Sequence, residues 1–250
     1  LKNFAQKKIN PKFIFVSPEK LATDGFLEYC IKCRKSEIKL ITIDEVHCVS
    51  QWGLQFRPFY KDIPVFIKNV FGENNPNVLA LTATLNPKEL SDITEAFNIE
   101  KKNVLKDKAF IRSEITLKVL KFANEEEKEK KLWDLLKIHK DEKTLVYVYR
   151  IRGVRSVEYF AERANMEHSL NCAFFHGEMS AKERQKIIEQ FKNNEINVVF
   201  ATNAFGMGID IKDIRVVIHF WIPESIEQYY QEIGRAARDK GAANAYLMFS

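Results

Sequence analysis

The stretch Leu40-Ile41-Thr42-Ile43-Asp44-Glu45-Val46-His47 places two adjacent carboxylates directly after a run of apolar and β-branched residues. Such a run predicts a buried strand, and ligands of open α/β sheets bind at the carboxyl ends of the strands. An aspartate at that position can hold Mg²⁺ through water, and a neighbouring glutamate can deprotonate a water molecule that attacks a γ-phosphate. The other interpretation is a pair of solvated carboxylates that cap the next turn. Taken alone, Asp44 and Glu45 do not decide between the two.

Similar apolar runs alternate with helical patterns along the rest of the chain. The predicted strands are 13–16, 39–43, 78–81, 115–122, 145–149, 173–175, 198–201 and 216–220. Apolar residues three or four apart predict helices over 87–97, 125–139, 154–164, 181–191 and 225–238. Strands and helices that alternate in this way predict an α/β fold with mostly parallel sheets. The pattern pauses in a basic stretch over 106–113, where we place a boundary between domains 1–107 and 108–250.

The composition excludes several classes of protein. With 250 residues, of which 46% are hydrophobic and 29% charged, the chain is typical of globular proteins. Its 39 basic and 34 acidic residues give a net charge of +5, which permits a polyanionic partner without requiring one. The four cysteines are too scattered for a disulfide framework or a zinc site. Because no apolar run is long enough to span a membrane, we expect a cytoplasmic protein with no membrane partner, nucleoid-associated if bacterial.

Two arginines near the C-terminus form a second candidate site. They lie three residues apart in Gln231-Glu232-Ile233-Gly234-Arg235-Ala236-Ala237-Arg238, and a continuous helix would present both on one face. Planar guanidinium groups suit a triphosphate, and an arginine from a second lobe can act as an arginine finger. An Arg-x-x-Arg pair is more often surface charge, and this interpretation stays open.

Two loops after predicted strands carry small hydroxyl residues and glycine. The first is Ala80-Leu81-Thr82-Ala83-Thr84, and the second is Thr202-Asn203-Ala204-Phe205-Gly206-Met207-Gly208-Ile209-Asp210. Backbone N–H groups in such loops can reach phosphates, and Asp210 can accept a hydrogen bond from a ribose or an arginine. Tight turns use the same residues, so neither loop is decisive by itself.

Taken together and in order, these motifs resemble those of the RecQ-family DNA helicases of superfamily 2. An aromatic-rich loop over 50–60, Ser-Gln-Trp-Gly-Leu-Gln-Phe-Arg-Pro-Phe-Tyr, separates the chain from RNA helicases of the DEAD-box type. Further matches are Val16-Ser17-Pro18-Glu19-Lys20-Leu21, Phe175-His176-Gly177 and Ile218-His219-Phe220-Trp221-Ile222-Pro223. The resemblance implies two RecA-like lobes, an ATP-binding lobe over 1–107 and a helicase C-terminal lobe over 108–250. It also implies ATP-dependent 3′–5′ translocation on single-stranded DNA, duplex unwinding, and a role in DNA repair and recombination.

The resemblance assigns nucleotide roles position by position. Asp44 and Glu45 would coordinate Mg²⁺ and activate water, and His47 and Thr82 would link the state of the ATP to the rest of the motor. The motif of Gln231 would supply the γ-phosphate contacts of Arg235 and Arg238, with Arg238 as the finger. Gly208 and Asp210 would line the other side of the nucleotide cleft.

The resemblance also assigns DNA contacts. Trp52, Phe56 and Arg57 would sense single-stranded DNA, because an aromatic ring stacks on any base and a guanidinium binds phosphate. A second interpretation, in which Trp52 is a core residue, stays open. Ser17, His176 and Thr202 would lie along the DNA backbone. The implied partners are single-stranded and duplex DNA, and we expect a monomer.

Three features depart from the family pattern. None of the nine glycines precedes a lysine, so the phosphate loop Gly-x-x-x-x-Gly-Lys-Ser/Thr is missing from these 250 residues. We therefore expect a first lobe that is incomplete at its N-terminus and a chain that alone hydrolyses ATP poorly. Leu54-Gln55 replaces the usual His-Asp, and the turn over 149–156 does not reveal which of its arginines takes the family role. The alternatives are a DNA-binding regulatory fragment without ATP turnover and a superfamily 2 motor that acts on RNA.

Overall fold

The protein is described here by a computed structural model that covers residues 2–21, 23–50, 58–72, 76–83, 87–106, 112–206 and 209–250. The chain forms two compact units, Leu1–Asp107 and Lys108–Ser250. Every strand pairing in the described residues is parallel, which confirms the predicted α/β class with mostly parallel sheets. Over the same residues, the structure contains no helix with the length and apolarity that a membrane span requires.

The first unit contains a two-stranded parallel sheet in its described part. Strand β1 (Leu40–Ile43) pairs with β2 (Asn77–Ala80), and Ile43 lies opposite Ala80. The helical elements are α1 (Lys2–Ala5), α2 (Pro18–Leu21), α3 (Asp24–Phe26), a π-helix (Leu27–Lys32), α4 (Pro58–Phe71), α5 (Pro87–Ala96) and 3-10 turns at Lys35–Glu37, Val46–Val49 and Lys101–Asn103. Apolar side chains of β1, the Val46 turn, α4 and α5 form one core.

Two predictions for the first unit were wrong. The run 13–16 forms no strand, and Phe13 and Phe15 are 79% and 94% exposed. A strand needs a backbone partner, and within the described residues β1 pairs only with β2. Residues 58–60 of the aromatic loop predicted over 50–60 lie in helix α4, which begins at Pro58, and residues 51–57 lie outside the described residues. The sequence did not predict this helix because of Pro58 and Pro64, since a proline inside a helix normally disfavours it.

In its described part, the second unit is built on a six-stranded parallel sheet. The strands are β3 (Ile115–Lys121), β4 (Thr144–Tyr147), β5 (Cys172–Phe175), β6 (Val198–Ala201), β7 (Val216–His219) and β8 (Ala243–Phe249), in the spatial order β3-β8-β7-β4-β6-β5. Side chains of β4 alternate between two cores, with Leu145 and Tyr147 in one and Val146 in the other. The alternation follows from the two-residue period of a strand, and it explains why the central strands are apolar throughout.

Helices cover both faces of this sheet. They are α6 (Glu125–Ile138), α7 (Val157–Glu167), α8 (Ala181–Lys192) and α9 (Ile226–Ile233). Side chains of α6 and α7 pack into the Val146 core, and those of α8 and α9 pack into the Leu145 core. The last three helices each begin at a serine whose side chain accepts a backbone hydrogen bond, which fixes where the helix starts.

Two predictions for the second unit need correction, and one strand was not predicted. The helix expected over 154–164 begins at Val157, because Gly153 and Arg155 adopt positive φ angles of 91° and 59° before its cap. Strand β8 was not predicted, since its Ala-Asn-Ala start carries none of the β-branched residues that mark strands. The helix expected over 225–238 ends at Ile233, and both Arg235 and Arg238 lie in the turns that follow.

Candidate nucleotide and nucleic-acid sites

The acidic pair lies at the carboxyl end of β1. Asp44 is exposed, and its Oδ1 accepts a hydrogen bond of 3.0 Å from the Glu45 backbone N–H. Glu45 adopts the left-handed conformation, with φ 51° and ψ 44°, so the chain turns sharply at this residue. The Val46 N–H then donates to the Leu81 carbonyl at 3.0 Å, which holds the turn against the end of β2. Both carboxylates therefore stand at the sheet edge where ligands of α/β folds bind.

His47 joins this acidic turn to the loop after β2. Its Nδ1 lies 3.0 Å from Thr82 Oγ1 and 3.3 Å from Glu45 Oε2. The imidazole is buried, with 6% of the residue exposed, so the contact is shielded from competing water. The structure thus brings Thr82, which is 35 residues away from His47 in sequence, into one cluster with Glu45 and His47.

Asp44 and Glu45 can contribute oxygen ligands to a divalent cation. In the part of the chain that the structure describes, no group of three or more His, Cys, Asp and Glu side chains is arranged to hold a metal by itself. Mg²⁺ commonly takes one or two carboxylates and completes its shell with water and substrate phosphates. The exposed Asp44 carboxylate fits this partial mode of binding.

The two arginines after α9 donate hydrogen bonds to two places in the loop that follows β6. Arg235 Nη1 donates to the Gly206 carbonyl at 2.7 Å, and a Cβ at Gly206 would lie 2.9 Å from Arg235 Nη2. Arg238 Nη1 donates at 3.0 Å to the Ile209 carbonyl and at 3.0 Å to Asp210 Oδ1. The structure brings Arg235, Arg238 and Asp210 together, while Gly208 lies outside the described residues.

The arginines do not share a helical face as the sequence predicted. Gly234 caps α9, Ala237 has a φ of 54°, and its N–H donates to the Ile214 carbonyl at 3.0 Å. Ala236 and Ala237 are fully buried, so their packing draws the backbone out of the helix. Tertiary contacts therefore override the high helix propensity of the two alanines.

A buried carboxylate network, which the sequence analysis did not identify, supports this turn. Glu232 Oε2 accepts hydrogen bonds from His219 Nε2 at 2.7 Å and from Tyr149 OH at 2.9 Å. Glu232 Oε1 accepts one from Gln228 Nε2 at 3.0 Å. The network ties α9 to the ends of β4 and β7. The sequence showed only that His219 ends an apolar strand. That observation indicates a buried network only once its partner Glu232 is known.

Two tyrosines extend this network toward the loop after β6. Burial raises the pKa of Tyr147 and that of Tyr149, so both phenols stay protonated and act as hydrogen-bond donors. The Tyr147 ring stacks on His219 at 5.1 Å, and its OH donates to the Phe205 carbonyl at 3.1 Å. The hydrogen bond from Tyr147 therefore holds the loop after β6 next to Gly206, whose carbonyl accepts from Arg235.

The predicted DNA contacts lie in different surroundings. Ser17 is exposed, immediately before α2. His176 and Thr202 follow β5 and β6, and both are buried, with 5% and 7% exposed. They shape the carboxyl edge of the second sheet rather than projecting from it. Trp52, Phe56 and Arg57 lie outside the described residues, and Gln231 is half-buried on α9.

Comparison with known proteins gives the evolutionary context. The family model for the DEAD/DEAH box helicase matches residues 2–93, and that for the helicase conserved C-terminal domain matches residues 127–240. The ATP-dependent DNA helicase RecQ of Bacillus subtilis is 34% identical over 96% of this chain and 38% of its own length. The probable ATP-dependent DNA helicase RecS of the same organism is 36% identical over 91% of this chain and 44% of its own.

A solved structure supports the fold. The Saccharomyces cerevisiae protein Dbp5, bound to RNA and ADP BeF3, aligns with a TM-score of 0.66 and 18% identity. The alignment covers 85% of this chain and 54% of that chain. Together with the two parallel-sheet units, it shows the fold of two RecA-like lobes, and the two matched family models define the class, the superfamily 2 helicases. Within this class, the chain belongs to the RecQ family of superfamily 2 helicases. It spans about two fifths of the length of the curated relatives that it matches.

Proposed function

We propose that this chain is the motor part of an ATP-dependent DNA helicase that moves 3′ to 5′ along single-stranded DNA and separates duplexes. The observation that carries the proposal is the cluster at the end of β1, where Asp44 and Glu45 stand beside the His47–Thr82 contact. A metal-binding carboxylate, a base and a hydrogen-bonded connection to the next loop are three of the parts that coupled phosphoryl transfer uses.

In this proposal, different residues of the chain have different roles in ATP hydrolysis. Asp44 and Glu45 would hold Mg²⁺, and the ion would supply neutralisation of the phosphate charge of ATP. Glu45 orients a water molecule and accepts its proton as the water oxygen bonds to the γ-phosphorus and the bond to ADP breaks. Arg238 stabilises the charge that develops on the transferred phosphoryl group.

The surroundings of the two arginines support Arg238 as the finger. Its ion pair with Asp210 is exposed, and exposed ion pairs contribute at most about 1 kcal/mol, so Arg238 can leave it for a phosphate. Both arginines also donate to a buried backbone carbonyl, Arg235 to Gly206 and Arg238 to Ile209, but Arg235 is half-buried whereas Arg238 is exposed. Arg235 therefore acts in the proposal as the anchor of the turn.

The second candidate function is DNA binding without ATP turnover. None of the nine glycines of the chain precedes a lysine, so these 250 residues lack the lysine that normally holds the β- and γ-phosphates. We propose that the 250 residues alone hydrolyse ATP at a negligible rate. Joined behind a first-lobe segment with the Gly-x-x-x-x-Gly-Lys-Ser/Thr loop, they form what we call the completed motor.

Glu45→Gln in the completed motor tests the proposed base. The substitution preserves the volume of the side chain but removes the proton acceptor, so we expect DNA-stimulated ATP hydrolysis to fall by about a hundredfold or more. Binding of ATP should persist. The measurement is steady-state phosphate release with and without single-stranded DNA, together with the affinity for a fluorescent ATP analogue.

The matched control is Glu95→Gln, since Glu95 is an exposed glutamate on α5. It should leave the rate unchanged. Hydrolysis at the wild-type rate in Glu45→Gln would assign the base to another residue. Robust DNA-dependent hydrolysis by the 250 residues alone would contradict the role given to the missing loop and exclude the binding-only function.

A further inference from the structure

Arg112 contacts the backbone between the two arginines of the turn after α9. Its Nη2 donates to the Ala237 carbonyl at 2.8 Å and to the Ala236 carbonyl at 3.4 Å. Arg112 lies shortly before β3, 124 residues away in sequence from Ala236. The start of the second unit is thereby tied to the segment that carries Arg235 and Arg238.

The Arg112 side chain is itself held in one orientation. Its Nε lies 2.5 Å from Glu114 Oε1, so the carboxylate occupies one edge of the guanidinium and leaves Nη2 for the carbonyls. The Glu114 carbonyl accepts a hydrogen bond of 2.9 Å from the Ala243 N–H, which fixes Glu114 to the start of β8. Because a guanidinium carries donors on more than one edge, Arg112 can serve a carboxylate and a backbone carbonyl at once.

The backbone directly before Arg238 adopts a conformation that needs support from its surroundings. Ala237 has a φ of 54°, which is unfavourable for a residue with a Cβ, and such conformations persist where neighbouring contacts hold them. The Ala237 N–H donates to the Ile214 carbonyl at 3.0 Å. The Ala237 carbonyl accepts from Arg112 at 2.8 Å and from the Lys240 N–H at 2.9 Å. Arg112 therefore supports the residue that precedes the proposed finger.

The contacts of Arg112 indicate a structural action on the turn rather than a contact with phosphate. Its side chain is 33% exposed, and its charge is paired with Glu114. A contact with ATP would require Arg112 to leave this carboxylate and the two backbone carbonyls. Arg112 therefore acts on the chemistry through the turn that it holds.

We propose that Arg112 is a positioning residue for ATP hydrolysis, which sets the place of Arg238 by holding the Ala236 and Ala237 carbonyls. The inference rests on the proposed function, in which Arg238 is the arginine finger, and it adds a residue that touches no substrate. Displacement of a catalytic group by about 1 Å can cost about a hundredfold in rate. Because a finger acts mainly in the transition state, loss of Arg112 should change kcat rather than ATP affinity.

A double-mutant cycle in the completed motor tests whether Arg112 acts through Arg238. Arg112→Ala should lower kcat about tenfold and change the affinity for a fluorescent ATP analogue less than about twofold. In an Arg238→Ala background, the same substitution should lower the rate less than about twofold, because the group that it positions is gone. Single-turnover conditions with excess enzyme keep this slow background measurable. Arg112→Lys retains a donor for the carbonyls, so its kcat should stay within about threefold of the wild type.

Arg163→Ala is the matched control. Arg163 pairs with Glu129 and Glu167 on α6 and α7, which cover the opposite face of the second sheet from α9. The control should lower the melting temperature but leave kcat unchanged. It therefore separates a loss of position in the turn from a general loss of stability.

Limited trypsin digestion of the 250-residue chain measures the order of the turn without ATP. Arg112→Ala should accelerate cleavage after Arg235 and Arg238 about threefold or more relative to other sites, because proteolysis follows local opening. Arg163→Ala should not change the relative rates at these two sites. Mass spectrometry of the fragments identifies where the chain is cut.

Three results would overturn the inference while leaving the proposed function intact. They are a wild-type kcat in Arg112→Ala, an equal loss of rate from Arg112→Ala with and without Arg238, and unchanged trypsin cleavage of the turn. A wild-type completed motor that does not hydrolyse ATP would contradict the proposed function and this inference with it.

Discussion

At the scale of single residues, Glu232 is the side chain that unites most of the second site. It accepts hydrogen bonds from Tyr149, His219 and Gln228, and it is 4% exposed. A buried carboxylate is stable only when its oxygens are fully hydrogen-bonded, and here three donors meet that need. Because Glu232 lies three residues before Arg235, the network fixes the start of the arginine turn.

Truncation of the Glu232 side chain should destabilise the folded protein. Glu232→Ala would leave three buried donors without an acceptor, and we expect the free energy of unfolding to fall by about 3–5 kcal/mol. Glu232→Gln keeps one acceptor oxygen and should lose less. Urea denaturation followed by circular dichroism measures both, with the exposed Glu162→Ala on α7 as the control. A Glu232→Ala variant as stable as that control would show that the network contributes nothing to the fold.

The amino-acid sequence predicted the acidic pair, but it did not predict the buried network or the backbone conformation of Glu45. The pair Asp44-Glu45 stands out because charged residues rarely end an apolar strand without a reason. The pairing of His219 with Glu232 could not be predicted, since it depends on α9 packing beside β7, a long-range contact that local sequence does not encode. The left-handed Glu45 was equally hidden, because non-glycine residues seldom adopt that conformation.

At the scale of elements, the turn after α9 carries the catalytic hypothesis. Helix propensity predicts that Arg235 and Arg238 continue the helix, yet the buried Ala236 and Ala237 end it. As a result, each arginine contacts a different part of the loop after β6. Period-two and period-3.6 patterns placed β4, β6, β7, α6 and α8 within one or two residues of their observed bounds. They failed at α4 and β8, where prolines and small residues weaken the pattern.

Arg238→Ala in the completed motor should reduce the rate more than the affinity. An arginine finger acts mainly in the transition state, and its removal costs about three to five orders of magnitude in kcat. ATP affinity should change little, because Arg238 is bonded in the structure to the Ile209 carbonyl and Asp210. Single-turnover hydrolysis and analogue binding give the two quantities.

Lys212→Ala is the control, since it removes an exposed cation from the same region. It should hydrolyse ATP at the wild-type rate. Normal kcat with weakened ATP binding in Arg238→Ala would make Arg238 a ground-state ligand and point to Arg235 as the finger.

At the scale of the whole molecule, each of the two parallel-sheet units presents one of the candidate sites. The first presents the acidic turn at the end of β1, and the second presents the arginine turn after α9. The alternating strands and helices were enough to predict the α/β fold, and the order of the motifs was enough to show the resemblance to the RecQ-family helicases. The exposure of Phe13 and Phe15 was not foreseen, since burial depends on neighbours that a local pattern does not contain.

The most direct test of the central claim is strand separation by the completed motor on tailed duplexes, with ATP and Mg²⁺. A DNA duplex with a 3′ single-stranded tail should be unwound, while the same duplex with a 5′ tail and an RNA duplex should not. Glu45→Gln should abolish the activity on every substrate. Preferential unwinding of the 5′-tailed DNA duplex or of the RNA duplex would contradict the account. A completed motor that hydrolyses ATP but unwinds none of the three substrates would contradict it as well.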